Sequence, residues 1–148
     1  MSARNRVEVM HGVNLDQLGR RPASVYGELT YDRLQQHVEA YARDLGLQVR
    51  FFQTNAESEF VEHLHRLDGL SDAIVMNPEA WTHYAWAIRD ALEIAALPTV
   101  EVHLSDVDSR EEWRQLSVVR ELCLATVSGQ GIVGYRAALE RLKEELDG

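Results

Sequence analysis

Short apolar runs alternate with longer segments of helical periodicity, and this alternation restricts the possible folds more than any other feature of the sequence. The apolar runs predict five β-strands, at residues 7–11, 49–52, 73–77, 98–103 and 122–127. Apolar residues at helical spacing predict helices from Thr30 to Gly46, from Phe60 to Gly69, from about Tyr84 to Ala95 and from Tyr135 to Leu146. Strands that alternate with helices form a parallel sheet covered on both faces. The pattern therefore predicts an α/β fold.

The number of strands also suggests how the sheet is ordered. Five βα units in a single domain, residues 1–148, favour a flavodoxin-like three-layer sandwich with the strand order 2-1-3-4-5. Open sheets of this kind bind ligands beyond the carboxyl ends of their strands. Polar residues occur at those ends: Asn14, Asn55, Asn77, Glu101 and His103. We therefore expect a binding site at that edge of the sheet.

Charge and cysteine content exclude some partners. The net charge of −9 argues against nucleic acid or an anionic membrane as the main partner, because both require basic patches. No apolar run approaches 18 residues, and no secretory signal core precedes the first strand. Cys123 is the only cysteine, and its apolar neighbours suggest a buried, unreactive thiol. These features predict a soluble cytoplasmic protein and do not exclude a small anionic substrate.

Glu101 and His103 form the most informative pair in the sequence. They are two residues apart on a predicted strand, so their side chains point to the same face. A carboxylate beside an imidazole fixes the orientation of the ring and stabilises its protonated form, which suits a general acid. The alternative is a surface ion pair, which the apolar neighbours Val100 and Val102 make less favoured.

Two arginine-containing segments are weaker candidates. The glycine-rich loop after the first strand carries Arg20, Arg21 and Tyr26, which either face solvent or form a lid with a cation beside a phenol. A phenol ionises only near pH 10 in water, so a phenolate base requires such a cation. The segment 110–114 is either a solvated helix face or the source of an arginine that reaches back over the site.

The stretch 77–83 has the composition of a ligand-binding loop, because Asn77 and His83 are polar residues between a buried strand and a helix. Two other patterns carry less weight. Residues 129–134 match the dinucleotide fingerprint, but only fourteen residues follow, so these glycines are expected to serve a turn and close helix packing. Glu101, His83 and His103 are possible metal ligands by type, but no metal-binding spacing supports a metal site.

Together these segments resemble the type II 3-dehydroquinate dehydratases, over nearly the whole chain from Val7 to about Leu142. The motifs that carry the resemblance are Gly12-Val13-Asn14-Leu15, Leu18-Gly19-Arg20-Arg21, Tyr26-Gly27, Phe52-Gln53-Thr54-Asn55, Asn77, Thr82-His83, Arg89-Asp90-Ala91, Glu101-Val102-His103-Leu104-Ser105 and Arg110-Glu111-Glu112-Trp113-Arg114. The resemblance implies a flavodoxin-like subunit, assembled as a homododecamer of four trimers, that uses neither a metal nor an organic cofactor.

The resemblance also implies roles for individual residues in the dehydration of 3-dehydroquinate to 3-dehydroshikimate, an anti elimination through an enolate in the shikimate pathway. Tyr26 would remove the C2 proton as a phenolate, Arg21 would stabilise the charge, and Asn14 would hold a water on the enolate oxygen. His103, positioned by Glu101, would protonate the departing hydroxyl. The implied substrate-binding residues are Asn77, His83, Asp90, Leu104, Ser105 and Arg114.

The chain departs from the family pattern at His11, Val13, Glu79 and Tyr84. Glu79 replaces a glycine, so it adds bulk at a position where glycine permits a positive φ, and it adds a negative charge of the kind that repels a carboxylate. Glu79 either retunes the loop or points into solvent. Two alternatives follow: a diverged relative, acting on another cyclic hydroxy acid or only binding one, and a nucleotide- or flavin-binding module.

Overall fold

A five-stranded parallel sheet forms the centre of the molecule in the computed structural model, which describes residues 4–148. The strands are β1 Arg6–His11, β2 Gln48–Gln53, β3 Ala73–Asn77, β4 Thr99–His103 and β5 Ala125–Ser128. Their order is β2-β1-β3-β4-β5, and all pairings are parallel. This confirms the predicted α/β class and strand order. Residues 1–3, which are part of the predicted domain, lie outside the described residues.

Helices cover both faces of the sheet and create two apolar cores. The helices are α1 Ala23–Tyr26, α2 Tyr31–Leu45, α3 Glu57–His65, α4 Trp86–Ala95 and α5 Val133–Asp147. On one face, α2 and α5 pack against the sheet through residues such as Leu34 and Leu139. On the other, α3 and α4 pack through Phe60 and Ile88. Both faces are therefore buried, which explains the continuous apolar strands.

Helix α2 has the ends that its sequence predicts. The Thr30 hydroxyl accepts a hydrogen bond from the backbone N–H of Arg33 at 3.2 Å, as an N-cap does. Gly46 follows the helix with φ 72°, the left-handed conformation that favours glycine.

Two predicted boundaries are wrong, each because an apolar residue assigned to the helix or strand packs into the core from a neighbouring turn. Helix α3 ends at His65, and Leu67 is buried in the following turn. The helix predicted to start near Tyr84 is present as α4, which begins at Trp86 after the 3-10 turn Glu79–His83. Strand β5 begins at Ala125 rather than at residue 122, because Leu122 packs beside α4 at the end of the 3-10 turn Arg120–Leu122.

The glycine-rich segment 129–134 has the structural role that the sequence predicted. A Cβ at Gly134 would lie 3.2 Å from a methyl group of Val127 and 3.7 Å from one of Val102, so α5 approaches the sheet closely here. The thiol of Cys123 also behaves as expected. It donates a hydrogen bond to the carbonyl of Val119, and burial raises its pKa to about 12.

The end of α4 contains a strained residue that offers a test of stability. Exposed Ala96 has φ 54°, in the left-handed region where a Cβ is unfavourable by about 1–2 kcal/mol. We expect Ala96→Gly to raise the free energy of unfolding by about 1 kcal/mol in urea titration. The control Ala95→Gly, inside the helix, should be neutral or destabilising. A loss of stability for Ala96→Gly would contradict this account.

Among the described residues, no helix combines the length and the apolar character that crossing a membrane requires.

Candidate active site

The stretch 77–83 lies at the carboxyl edge of the sheet, held tightly against the end of β1. The N–H of Gly12 donates to the carbonyl of Asn77 at 2.9 Å. A Cβ at Gly12 would lie 2.2 Å from the carbonyl oxygen of Pro78, so only glycine allows this approach. The 3-10 turn Glu79–His83 is thereby positioned over the sheet edge.

Asn77 is buried, and its side chain organises this turn. Its Oδ1 accepts from the N–H of Glu79 at 3.1 Å, and its Nδ2 donates to the hydroxyl of Tyr135 at 3.3 Å. The same hydroxyl bonds Nε2 of His11 at 3.1 Å. Burial lowers the pKa of His11 to about 3, so His11 is a neutral part of this network. Binding of substrate by Asn77 stays a prediction.

Glu101 and His103 are paired as the sequence predicted. Nε2 of His103 donates to Oε2 of Glu101 at 2.6 Å, and both side chains are buried. The hydroxyls of Thr82, Ser117 and Thr126 also donate to the Glu101 carboxylate. His103 Nδ1 has no protein hydrogen-bond partner within residues 4–148. The ring is thus fixed from one side and available on the other.

The environment of Glu101 favours its ionised form. Burial acts to raise the pKa of this carboxyl, but the hydrogen bonds from His103, Thr82 and Ser117 and the charge of His103 together hold the pKa below its usual value. The buried Glu101 carboxylate, with this many donors, places a negative charge next to His103.

The Tyr26 hydroxyl lies between two guanidinium groups. Arg21 Nη2 donates to its oxygen at 2.6 Å, and Arg110 Nη1 donates at 2.9 Å. The guanidinium carbon of Arg21 is also 4.3 Å from the centre of the Tyr26 ring. Two charged donors therefore meet at one phenol oxygen. The sequence predicted the contact with Arg21 but assigned no role to Arg110.

Asn14 lies at the start of the loop that carries Arg21 and Tyr26. Its backbone is left-handed, with φ 70°, and its N–H donates to Oδ1 of Asn55 at 2.8 Å. Gln53 Nε2 donates to the same oxygen at 3.2 Å. The polar ends of β1 and β2 therefore meet, and the exposed side chain of Asn14 makes no hydrogen bond within residues 4–148.

His83 and Arg114 line the opposite side of the site. His83 Nδ1 donates to the carbonyl of Leu116 at 2.7 Å, which leaves Nε2 without a proton in the neutral ring. Burial, with smaller effects from nearby charges, lowers the pKa of His83. Its ring is stacked at 6.4 Å from that of His103. Arg114 is held by Glu111 and lies over the ring of Trp113.

The remaining predicted residues divide into two groups. Leu104 and Ser105 directly follow β4 and are buried, and Arg110 Nη1 lies 3.4 Å from the Ser105 hydroxyl. Asp90 is different, because it is exposed on α4 and makes no side-chain hydrogen bond within the described chain. Its predicted role in substrate binding stays a prediction that the contacts of one chain do not support.

Glu79 does not point into solvent, so that part of the expectation is wrong. Its relative exposure is only 9%, and its φ is 58°. Burial raises the pKa of the Glu79 carboxyl, while Arg21, His103, Arg110 and Arg114 act in the opposite direction. The charges of these four groups therefore act on Glu79 within the same part of the molecule. Residues 4–148 contain no cluster of three side chains suited to hold a metal ion.

This arrangement can promote an elimination reaction. It contains an oxygen base beside two cations and an imidazole held by a carboxylate, the pair needed to remove one proton and to deliver another.

The family model described as Dehydroquinase class II matches residues 5–143.

The chain belongs to the class II dehydroquinase family. It is 48% identical to the 3-dehydroquinate dehydratase of Thermotoga neapolitana over 92% of each chain, and 43% identical to that of Caldicellulosiruptor bescii over 96% and 99%. Its structure resembles that of the type II dehydroquinase from Propionibacterium acnes, with a TM-score of 0.90 at 39% identity, covering 97% of this chain and 99% of that one. Similarity over nearly the whole chain favours the dehydroquinase interpretation over the alternatives.

Several residues of this dehydroquinase site had no predicted role. Each of them contacts a predicted site residue that is at least 16 positions away in the sequence. They are Arg110, Ser117, Thr126 and Tyr135. The strand pairing of Glu101 with Thr126 could have indicated one of them, had β5 been placed correctly. For the others, the sequence offers no local signal.

Proposed function

We propose that this chain is a hydro-lyase that dehydrates 3-dehydroquinate to 3-dehydroshikimate in the shikimate pathway. The observation that carries the proposal is the Tyr26 oxygen, which accepts hydrogen bonds from Arg21 and Arg110 at the same sheet edge as the Glu101–His103 pair. Curated relatives with the name 3-dehydroquinate dehydratase support the substrate.

The first step is proton abstraction at C2 of the substrate. The Tyr26 phenolate takes a C2 proton, and the electrons of the broken C–H bond move onto the neighbouring ketone as an enolate. Arg21 and Arg110 stabilise the Tyr26 anion before this step. Asn14 holds a water that donates to the enolate oxygen, which its exposed side chain is free to do.

The second step is loss of the C1 hydroxyl. The enolate re-forms the ketone, a C1–C2 double bond forms, and the C1–O bond breaks with its electrons moving onto oxygen. Protonated His103 donates a proton to that oxygen, so that water leaves. Glu101 keeps the ring in place and stabilises its positive charge. The proton on Tyr26 then returns to His103 through solvent, which regenerates the starting state.

Substrate binding is proposed for the polar groups that surround these two centres. Asn77, His83, Ser105, the backbone at Leu104 and Arg114 would hold the ring hydroxyls and the carboxylate. Asp90 belongs to the proposed set only through the family resemblance, because it is exposed in this chain.

An imine route can be weighed against this enolate route. Elimination through an imine requires a lysine that condenses with the ketone. The only lysine in the sequence is Lys143, which pairs with Asp147 at 3.1 Å near the end of α5. The site residues described above include no lysine, so the charge must be carried by an enolate.

The stereochemistry of hydrogen loss tests this function. Dehydroquinate deuterated at the C2 position anti to the C1 hydroxyl should yield unlabelled dehydroshikimate, and the opposite diastereomer should keep its label. Mass spectrometry of the product distinguishes the two. A product that retains the anti label, or no product at high enzyme concentration, would refute the proposal.

We also propose that residues 1–148 act as one domain, in the cytoplasm, within a homododecamer. Large apolar side chains at the surface, among them Tyr84, Trp86 and Leu116, support self-association. The single free cysteine is compatible with a reducing compartment. Sedimentation equilibrium of the purified protein measures the number of copies.

A further inference from the structure

Glu79 is a buried acid inside the proposed catalytic site, held there by a strained backbone. Its φ of 58° is unfavourable for a residue with a Cβ by about 1–2 kcal/mol. The hydrogen bond from its N–H to Asn77 and the contact of Pro78 with Gly12 hold the turn in this conformation. The side chain is consequently buried, in the same turn as His83 and beside Asn77, instead of exposed to solvent.

Several charged and titratable groups are close enough to Glu79 to influence the pKa of its carboxyl. Arg21 comes from the loop before α1, His103 from the end of β4, and Arg110 and Arg114 from the segment after β4. Tyr135 approaches from α5 and is close enough for the charge of Glu79 to affect its pKa. The Glu79 carboxyl makes no side-chain hydrogen bond within residues 4–148. The Glu79 carboxyl is therefore influenced by three arginines but forms a hydrogen bond with no side chain among the described residues.

A substrate carboxylate would enter the same space. Two carboxylates that share a desolvated site cannot both stay ionised without strong repulsion, and the less stabilised one takes up a proton. Burial already raises the pKa of Glu79, in spite of the arginines, so Glu79 is the acid that is closer to protonation. The incoming carboxylate then stays ionised, with Arg114 as its proposed cationic partner.

We propose that Glu79 couples substrate binding to the uptake of one proton, so that the site accepts a carboxylate-bearing ring only when Glu79 is neutral. This inference rests on the proposed function for the identity of the substrate. It makes Glu79 a specificity-determining residue, because a ring without a carboxylate would impose no such requirement. It also gives a function to Glu79, which stands where the family pattern has a glycine.

The ionisation of Glu79 determines the direction in which KM changes with pH. Below the pKa of Glu79 in the free enzyme, the carboxyl is already neutral and KM does not depend on its titration. Above that pKa, each binding event must capture a proton, so KM rises by up to about tenfold per pH unit. The variant Glu79→Gln is neutral at every pH and should lose this rise, while kcat is affected little by comparison.

Isothermal titration calorimetry directly measures the number of protons taken up when the substrate binds. Dehydroquinate is titrated into Tyr26→Phe, whose turnover is expected to be about a thousandfold slower, and into Tyr26→Phe/Glu79→Gln. The buffers differ in ionisation enthalpy and run from about pH 5 to about pH 9. We expect an uptake that approaches one additional proton in the first protein at some pH within this range. The control Tyr26→Phe/Glu112→Gln removes an exposed carboxylate nearby and should behave as the first protein does.

Steady-state kinetics with the active enzyme complete the test. If the native enzyme turns over dehydroquinate but Glu79→Gln shows the same KM profile and the same proton uptake, the inference is overturned and the proposed function stands. If the native enzyme forms no product, the proposed function fails, and the inference fails with it. Should Glu79→Gln not fold, Glu79→Gly suits the positive φ and supports the same comparison.

Discussion

The Tyr26→Phe variant is expected to lose about a thousandfold or more in kcat with dehydroquinate, because it lacks the oxygen that Arg21 and Arg110 hold at this edge of the sheet. General bases contribute about 10²–10⁴ to rate, and removal of a C2 proton next to a ketone depends strongly on such a base. KM should change much less, since the ring and both arginines remain. Initial rates from product absorbance measure both constants.

A tyrosine away from the site provides the matched control. Tyr41 lies on α2 with Arg136 near its ring, so it too combines a phenol with a guanidinium, but outside the site. Tyr41→Phe should keep native kcat. Equal losses in the two variants would mean that the loss reflects stability instead of catalysis. A Tyr26→Phe enzyme with native kcat would remove Tyr26 from the mechanism.

The Glu101→Gln variant should lose about a hundredfold or more in kcat. The amide is neutral, and its NH₂ group cannot accept from donors that now bind a carboxylate. His103 would lose the charge that stabilises its protonated form, and Thr82 and Ser117 would lose an acceptor. Protonation of the departing hydroxyl would slow, while binding of substrate would change less.

Another buried acid–histidine pair separates catalysis from folding. Glu8 on β1 is buried and accepts from His63 Nε2 at 2.6 Å, outside the proposed site. Glu8→Gln should lower the free energy of unfolding by about 1–3 kcal/mol yet keep native kcat. If Glu101→Gln retains native kcat at a temperature where it is folded, the Glu101–His103 pair has no catalytic role.

The parts of the fold that depend on local pattern could be predicted from the sequence. The apolar strands follow from burial of the sheet on both faces, and the Thr30 and Gly46 ends of α2 follow from capping chemistry. The Glu101–His103 pair follows from the two-residue period of a strand. Each of these features involves residues close together in the sequence.

The rest depends on contacts between distant segments. Arg110 and Tyr26 are 84 positions apart, and nothing in the segment 110–114 distinguishes Arg110 from Arg114 as the partner of the phenol. The burial of Glu79 depends on a positive φ, which is imposed by Gly12 after the end of β1 and by Asn77 at the end of β3. Side-chain chemistry alone therefore left open whether Glu79 faced the site or the solvent.

The most direct test of the central claim is the rate at which purified protein forms the conjugated enone from dehydroquinate, followed by ultraviolet absorbance. We predict a rate proportional to native enzyme concentration and about a thousandfold lower for Tyr26→Phe at equal concentration. A native rate no greater than that of Tyr26→Phe would contradict the account.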